Sequence, residues 1–352
     1  MKNEFIIFAE IMKKVILIIS SAIFLVLIAA AVTGWNIMLK PNIKPDAPVR
    51  FYIHTGAGFS EVIDSLSERD LLINKKSFLL ASRLKHFDNH VRPGSYVLKP
   101  GMGNNNIINI LRSGRQTPVK VIINDVRTIA DLAGKVGRQI EADSAQIYVF
   151  LTNPLNYSDD GFTRDNVMTV FIPDTYEFYW TTTAENFYRR MLREFKAYWT
   201  PERVEKAKSI NMTPVEVSIL ASIIDEEVVK TEEKPKIAGV YLNRLRIGMP
   251  LQACPTIKFA INDFSIRRVL DEYLTVESPY NTYKHTGLPP GPVRCASRSG
   301  LNAVLNAEKS DYLYFAAKSD FSGTHYFSRT LAEHNAHAAE YHRELNKKKI
   351  YR

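Results

Sequence analysis

The chain has 352 residues, 45% hydrophobic and 24% charged, which fits a folded protein of one to three domains and excludes whole-chain disorder, a collagen-like fibre and a multi-span transporter. Two cysteines are too few for a disulfide-rich scaffold or a four-cysteine zinc site, and without a Gly-Lys-Ser/Thr phosphate loop or a GxGxxG stretch nucleotide chemistry has no support. The net charge of +9, from 46 basic against 37 acidic side chains, is spread along the chain. It reads as a solvated surface able to meet a polyanionic envelope or a phospholipid face, not as the clustered arginines and stacking aromatics of a nucleic-acid footprint.

Residues 1–14 read as a short cytoplasmic tail with Lys13 and Lys14 at its end, followed by an uncharged run from Val15 to Val32. Roughly 18–21 helical residues span about 27–31 Å, enough to cross a hydrocarbon core, so a single transmembrane helix is predicted over 15–35, with Trp35 at its far end. The basic flank keeps the tail inside and sends everything after about residue 36 to the exported side. A cleaved signal peptide is the competing reading; its apolar region usually spans about 7–15 residues, shorter than this run, and Ala29-Ala30-Ala31 would be the place to cut. Residues 36–48 carry three prolines and no apolar period, and read as an extended linker lifting the rest off the membrane.

VRFYI (49–53) alternates as a strand, Thr55-Gly56-Ala57-Gly58 turns the chain, and Ser60 is placed to cap a helix with Val62, Ile63 and Leu66 on its apolar side. A second helix is predicted near 74–84, then a turn and strand from Arg92 to Leu98, then a short helix over 106–112 ending at Gly114. Residues 49–115 thus form a small strand–helix–helix–strand module. A related pattern restarts with VKVII (119–123) and the stripe Ile129, Leu132, Ala133, Val136 and Ile140, the sign of a weak internal repeat. Residues 116–200 read as a connecting α+β subdomain and 201–352 as a helix-rich mixed domain, so the fold class is α+β.

Thr213-Pro214-Val215-Glu216 is a helix start, with threonine at the N-cap, proline in the first turn and glutamate at the reciprocal capping position. The helix is predicted to continue through Val229. At about 100° per residue Val217, Leu220, Ala221, Ile224 and Val228 share one arc, the buried stripe. The three acids that follow one another then diverge: Asp225 at one margin, Glu226 opposite the stripe in solvent, Glu227 at the other margin. A carboxyl group against apolar neighbours resists ionisation, as a proton donor near neutral pH must. Glu227 is therefore the general-acid candidate; a helix-end carboxylate paired with Lys230 or Lys234 is the plain alternative.

The motifs around this helix are LASIIDEE (220–227), AGVYLNRL (238–245), GMPLQ (248–252), Pro255-Thr256, SPYNTY (278–283) and GLPPG (287–291). Upstream stand PGSY (93–96) and FIPDTY (171–176), and near the C-terminus YLYF (312–315) and His334-Asn335. In order and spacing, over essentially the whole chain, this set resembles the endolytic murein transglycosylase (YceG-like) family. The resemblance implies a bacterial inner-membrane, single-pass protein whose C-terminal domains face the periplasm. It implies an enzyme that cuts nascent peptidoglycan strands internally between N-acetylmuramic acid and N-acetylglucosamine, leaves 1,6-anhydro ends and so terminates elongation, with peptidoglycan synthases as partners. It also implies a LysM-like glycan-binding fold for 49–115, and it aligns the family's catalytic glutamate with Glu227.

The family usually has aspartate two residues after the glutamine of the Leu-Gln motif, where this chain has Cys254. Arg294 and Cys295 after Gly291 are also atypical. Both cysteines fall beside the expected active-site loops, and a Cys254–Cys295 disulfide in an oxidising compartment stands against two unpaired buried thiols. Glu233, Gln252, Thr256, Tyr280, Asn281, Thr282 and Tyr283 offer carboxylate, amide, hydroxyl and aromatic groups suited to a sugar; a solvated loop acid is the alternative for Glu233, and turn stabilisation for Gln252 and residues 280–283. No cofactor is implied. His334, His337 and His342 lie on a predicted helix from 331 to 346 as a solvated face ending in Lys347-Lys348-Lys349, without the further ligands of a metal site. A water-using muramidase and a wall-binding scaffold made idle by Cys254 are the competing functions.

Overall fold

The computed structural model describes residues 2–266 and 268–348; Lys349 of the terminal basic run lies outside them. The chain folds as an α+β protein in two compact units, Met1–Val119 with Tyr179–Thr181, and Lys120–Phe178 with Thr182–Arg352.

The first unit begins with α1, Lys2–Met38, one continuous helix. Its segment Ile6–Met38 is long and apolar enough to cross a membrane. The tail expected over residues 1–14 is helical from Lys2 onward, since nothing from Lys2 to Lys14 is a glycine or proline that would stop the helix. After α1 the expected linker is docked, not free. Pro41 bridges Gly103, Ile43 bridges Leu72, and both Asn42 and Ile43 are buried. Gly103 permits this approach, because a Cβ there would stand 2.6 Å from the Leu39 carbonyl oxygen.

Strand β1 (Val49–Ile53) pairs antiparallel with β2 (Gly94–Leu98), Val49 opposite Leu98 and Ile53 opposite Gly94. Between them run α2 (Phe59–Glu68) and α3 (Lys75–Leu84), and α4 (Asn104–Ser113) follows. The cap of α2 is Gly58, not Ser60, which lies inside the helix; Glu61 accepts from the Gly58 N–H instead. Asn74 caps α3 by accepting from the Ser77 N–H at 2.9 Å, and Gly114 closes α4 at φ 67°. Phe51, Leu66, Phe78, Phe87, Tyr96, Leu98 and Ile107 form the core between strands and helices.

In the second unit β3 (Val119–Ile123) is followed by α5 (Ile129–Val136) and α6 (Ser144–Thr152), and it pairs with β4 (Asp174–Phe178). The strand–helix–helix–strand order of the first unit therefore recurs, as the sequence pattern suggested. The helices α7 (Ala184–Tyr198), α8 (Pro201–Ser209), α9 (Pro214–Glu227), α10 (Lys234–Arg246), α11 (Cys254–Ile261) and α12 (Arg298–Leu305) come next. An antiparallel hairpin of β5 (Tyr314–Ala317) and β6 (His325–Ser328) and the last helix α13 (Leu331–Lys347) complete it. The boundary expected at residue 200 divides no compact unit: Tyr198 donates to Asn302 on α12, and Arg298 pairs with Asp174 of β4.

Helix α9 is the axis of this unit. Its N-cap Thr213 accepts from the Glu216 N–H at 3.2 Å and Glu216 accepts in return from the Thr213 N–H at 2.7 Å. Every residue from Val217 to Ile224 is buried, not one stripe alone, because α8, α10, α11 and α12 surround it. The two serines on it are satisfied locally, Ser218 by the Pro214 carbonyl at 2.8 Å and Ser222 by that of Ile219 at 2.7 Å.

In the first unit one polar knot ties the post-helix segment down. The Asn42 amide donates to Asn104 Oδ1 at 2.6 Å and to the Asn74 carbonyl at 3.1 Å, and accepts from the Asn74 N–H at 2.6 Å. Asn104 in turn donates to the Ile37 carbonyl at 2.7 Å. Truncating Asn42 to alanine strands buried polar groups, which costs about 1–3 kcal/mol. Urea unfolding of Asn42→Ala is expected to show a correspondingly lower midpoint.

Candidate active site

Glu227 is the last residue of α9, and the chain leaves the helix at Val228 in extended geometry. The helix stops two residues short of the predicted Val229 because Val228 turns into the core, 3% exposed, while Val229 stands out in solvent. That bend leaves Glu227 half-buried, facing α10 and the start of α11.

The Tyr241 hydroxyl of α10 donates to Glu227 Oε1 at 3.0 Å, and the backbone N–H of Cys254, the first residue of α11, adds a favourable dipole for the charged carboxyl. Lys258 of α11 and Arg244 of α10 add positive potential. Burial outweighs these stabilising contacts and pushes the Glu227 pKa up to about 7. The peptide dipoles pull in opposite senses, since the carboxyl sits at the negative end of α9 and the positive end of α11. Arg244 is itself buried and committed to the Leu313 and Leu251 carbonyls, both at 2.6 Å, and so pins the loop before α11 and the start of β5.

The two preceding acids are spoken for. Asp225 accepts from Lys234 Nζ at 2.7 Å, from the Ser297 N–H at 2.6 Å and from the Ser297 hydroxyl at 2.9 Å. Glu226, expected in solvent, is instead gripped by Arg127 at 2.9 and 3.2 Å and by Arg294 at 2.9 Å. Those arginines come from distant loops that a helical wheel cannot see. Lys234 is thus taken by Asp225, which removes it as the plain partner of Glu227.

The polar residues expected to bind sugar divide. Thr256, Asn281 and Thr282 are fully or almost fully buried and brace the loops. Asn281 donates to the Leu274 and Val276 carbonyls, and Thr282 Oγ1 accepts from the Ala253 N–H and meets Thr256 Oγ1 at 2.9 Å. Their polar atoms are engaged within the loops, which for Asn281 and Thr282 is the turn-stabilising alternative. Gln252 keeps an exposed side chain on a left-handed backbone (φ 47°) fixed by its N–H to the Thr282 carbonyl. Tyr283 is half-buried at Cys254, Oη to Sγ 3.3 Å. Tyr280 packs on Phe259 at 4.7 Å and lines a cavity of about 300 Å³ with Arg127, Tyr148 and Arg164. Glu233, just before α10, faces away to β6, where it accepts from the His325 N–H at 3.0 Å and from His325 Nδ1 at 2.9 Å.

The sequence model of the YceG-like family matches residues 51–340. The chain belongs to the YceG-like family. A Bacillus subtilis (strain 168) protein named endolytic murein transglycosylase is 30% identical over 328 residues, covering 88% of this chain and 90% of its own. A Streptococcus pneumoniae serotype 2 protein of the same name is 28% identical over 360 residues, covering 92% of this chain and 65% of its own. The 2.6 Å crystal structure of a YceG-like protein from Listeria monocytogenes superimposes with a TM-score of 0.54 at 27% identity, covering 83% of this chain and 99% of that one.

Within this YceG-like chain both cysteines are free thiols, the second of the two alternatives. Cys254 Sγ meets Tyr283, while Cys295 is buried 3.8 Å from the Met168 carbonyl. Burial pushes their pKa values up to about 11 and about 12, so both stay protonated thiols. On α13, His334 stacks on Tyr314 and His337 on Tyr326, and among the described residues no group of three His, Cys, Asp or Glu side chains could hold a metal. The sequence reading missed Tyr241, Arg244 and His325. Tyr241 and Arg244 lie three apart inside the AGVYLNRL motif and so share one face of α10, a spacing that could have flagged them.

Thiol titration of the unfolded, unreduced protein is expected to find two free thiols. A second expectation concerns Glu227 alone. In the unfolded chain this carboxyl ionises near its ordinary 4.5, in the fold near 7, so the fold loses stability as pH rises through that window. Glu227→Gln does not titrate. It is expected to equal the wild type in stability near pH 4 and to exceed it by about 1–3 kcal/mol at pH 8, read by urea unfolding at the two pH values.

Proposed function

We propose that this chain is a membrane-anchored endolytic lytic transglycosylase of peptidoglycan. The observation that carries the reading is one carboxyl group, Glu227, with a pKa raised to about 7, while its two neighbours are neutralised by Lys234 and by Arg127 and Arg294. The names of the relatives in Bacillus subtilis and Streptococcus pneumoniae support the substrate class.

A hydrolase commonly needs a second carboxylate for a water or for covalent attack; a lytic enzyme can work with one. Protonated Glu227 gives its proton to the oxygen linking C1 of N-acetylmuramic acid to O4 of N-acetylglucosamine, and the C1–O4 bond breaks. The muramyl C6 hydroxyl then attacks its own C1, and the Glu227 carboxylate takes the hydroxyl proton as the C1–O6 bond closes. One strand leaves with a free 4-hydroxyl, the other ends in a 1,6-anhydro ring, and Glu227 returns to its starting state. The attack is intramolecular, so no water has to be held in place. Tyr241 keeps the carboxyl aimed through both transfers. Gln252 and Tyr283, on the same loops, contribute accessible amide and aromatic surface beside it.

In this reading α1 spans the inner membrane with Lys13 and Lys14 on the cytoplasmic side, and both units face the periplasm. Residues 49–115, with two helices between paired strands, serve as a LysM-like module that holds the glycan. Coupling to a peptidoglycan synthase is what the family resemblance implies, and placement at the membrane, where strands emerge, is compatible with it.

The test is product analysis by mass spectrometry after digestion of peptidoglycan with the wild type and with Glu227→Gln. Anhydro-muramyl ends are expected from the wild type, with the variant slower by about 10²–10⁴-fold. Ends carrying an added water would make the protein a muramidase, equal rates would remove Glu227 from the mechanism, and inactivity of both would leave the scaffold. Because the acid must start protonated, kcat/KM is expected to fall as pH rises above about 7.

A further inference from the structure

The Glu233–His325 pair, in the same unit as the candidate acid, has no part in the mechanism above. A carboxylate can only accept, and Glu233 takes two hydrogen bonds from the same residue, the His325 backbone N–H at 3.0 Å and ring Nδ1 at 2.9 Å. The second bond places a proton on Nδ1, so that in the neutral ring Nε2 is the acceptor. Both side chains are largely enclosed, His325 11% and Glu233 16% exposed. The ring is clamped edge-on by Phe315 at 5.5 Å and flanked by Phe327 at 6.5 Å. Yet Nε2 has no partner among the described residues and is not sealed in, since it is not one of the buried polar atoms left unsatisfied.

The same Phe315 packs on Tyr241, centroids 5.6 Å apart, and Tyr241 is the residue that holds Glu227. One aromatic ring therefore separates the oriented histidine from the tyrosine under the acid. A purely structural clamp would be complete with the two bonds to Glu233 and would have no need of an open Nε2 on a fixed tautomer.

We propose that His325 Nε2 is a substrate contact of this unit, accepting a hydrogen bond from a hydroxyl or acetamido N–H of the glycan strand, and that Glu233 is its positioning residue. This rests on the reading of the unit as a glycan-cleaving site. No bond is made or broken at His325; it orients the strand so that the linkage meets Glu227.

The experiment uses full-length protein in detergent micelles, labelled with ¹⁵N-histidine and carrying Glu227→Gln so that bound strands survive. His325 is assigned by loss of its signals in Glu227→Gln/His325→Gln. Glycan strands freed of stem peptides are the probe. Expected is an unprotonated Nε2 in the free protein whose resonance moves on adding strands; a protonated Nε2, or one unmoved while other signals shift, overturns the proposal. In the otherwise wild-type protein, His325→Ala is expected to raise KM by about 10–100-fold with a smaller change in kcat, and free imidazole to restore part of the loss. Glu233→Gln, which releases the tautomer, is expected to approach the same loss and to add little on top of His325→Ala. A lowered melting temperature with unchanged KM and no imidazole response would make the pair structural only. Wild-type anhydro products with an unresponsive Nε2 would sink this proposal alone, whereas absent products would sink the reading beneath it.

Discussion

In the proposed reading the chemistry of this protein depends on one carboxyl group held largely away from water at a helix junction. Glu227 is placed there by the turn at Val228, which ends α9 and points the side chain at α10 and the first N–H of α11. Three consecutive acids at the end of a nearly all-apolar helix would ordinarily repel one another and unravel the last turn. They persist because the helix sends each in a different direction, to a different partner: Asp225 to a buried lysine and Ser297, Glu226 to two arginines, Glu227 to a tyrosine hydroxyl. Asp225 and Glu226 each hold an ion pair, whereas the side-chain donor to Glu227 is a neutral hydroxyl, and there burial pushes the pKa up.

Cys254 fits the same balance. An aspartate in its place would bring a second negative charge to the N-terminus of α11, beside the carboxyl that must hold its proton, and would raise the Glu227 pKa further. The thiol, kept protonated by burial and held at Tyr283, brings none. The cysteine thus leaves the backbone N–H contact to Glu227 intact while simplifying the electrostatics around it.

The sequence made the start of α9, its apolar interior and the apolar surroundings of Glu227 legible, because capping chemistry and helical periodicity are local. It made the first module legible for the same reason, down to Asn74 and Gly114. What it hid came from contacts between distant residues. Arg127 and Arg294 reach Glu226 from opposite directions in the chain, and a wheel drawn for one helix assigns that side to solvent. Thr256, Asn281 and Thr282 looked like sugar ligands because they are polar residues in motifs around the site. A tight loop beside a buried carboxyl, however, needs its own backbone groups satisfied first, and these side chains do that. Glu233 reads from sequence as either a sugar-binding carboxylate or a solvated loop acid; its partner His325 lies on a distant hairpin strand that no local pattern reveals.

The segment after α1 shows how a short polar motif overrides composition. Three prolines and no apolar period describe a spacer, yet Asn42 and Asn104 bind Asn74 and the Ile37 carbonyl into one buried network, and Gly103 lets the chain press against Leu39. With Val15–Val32 set across a hydrocarbon core, only about 9 Å of α1 remains from Val32 to Met38 before this network begins. That is little more than the depth of a headgroup layer. In the proposed membrane-anchored reading the first unit is therefore held at the bilayer surface by a stiff attachment and not by a floppy tether. A glycan held by that unit would be gripped close to where it emerges from the membrane, which suits an enzyme acting on nascent strands better than one roaming the mature wall.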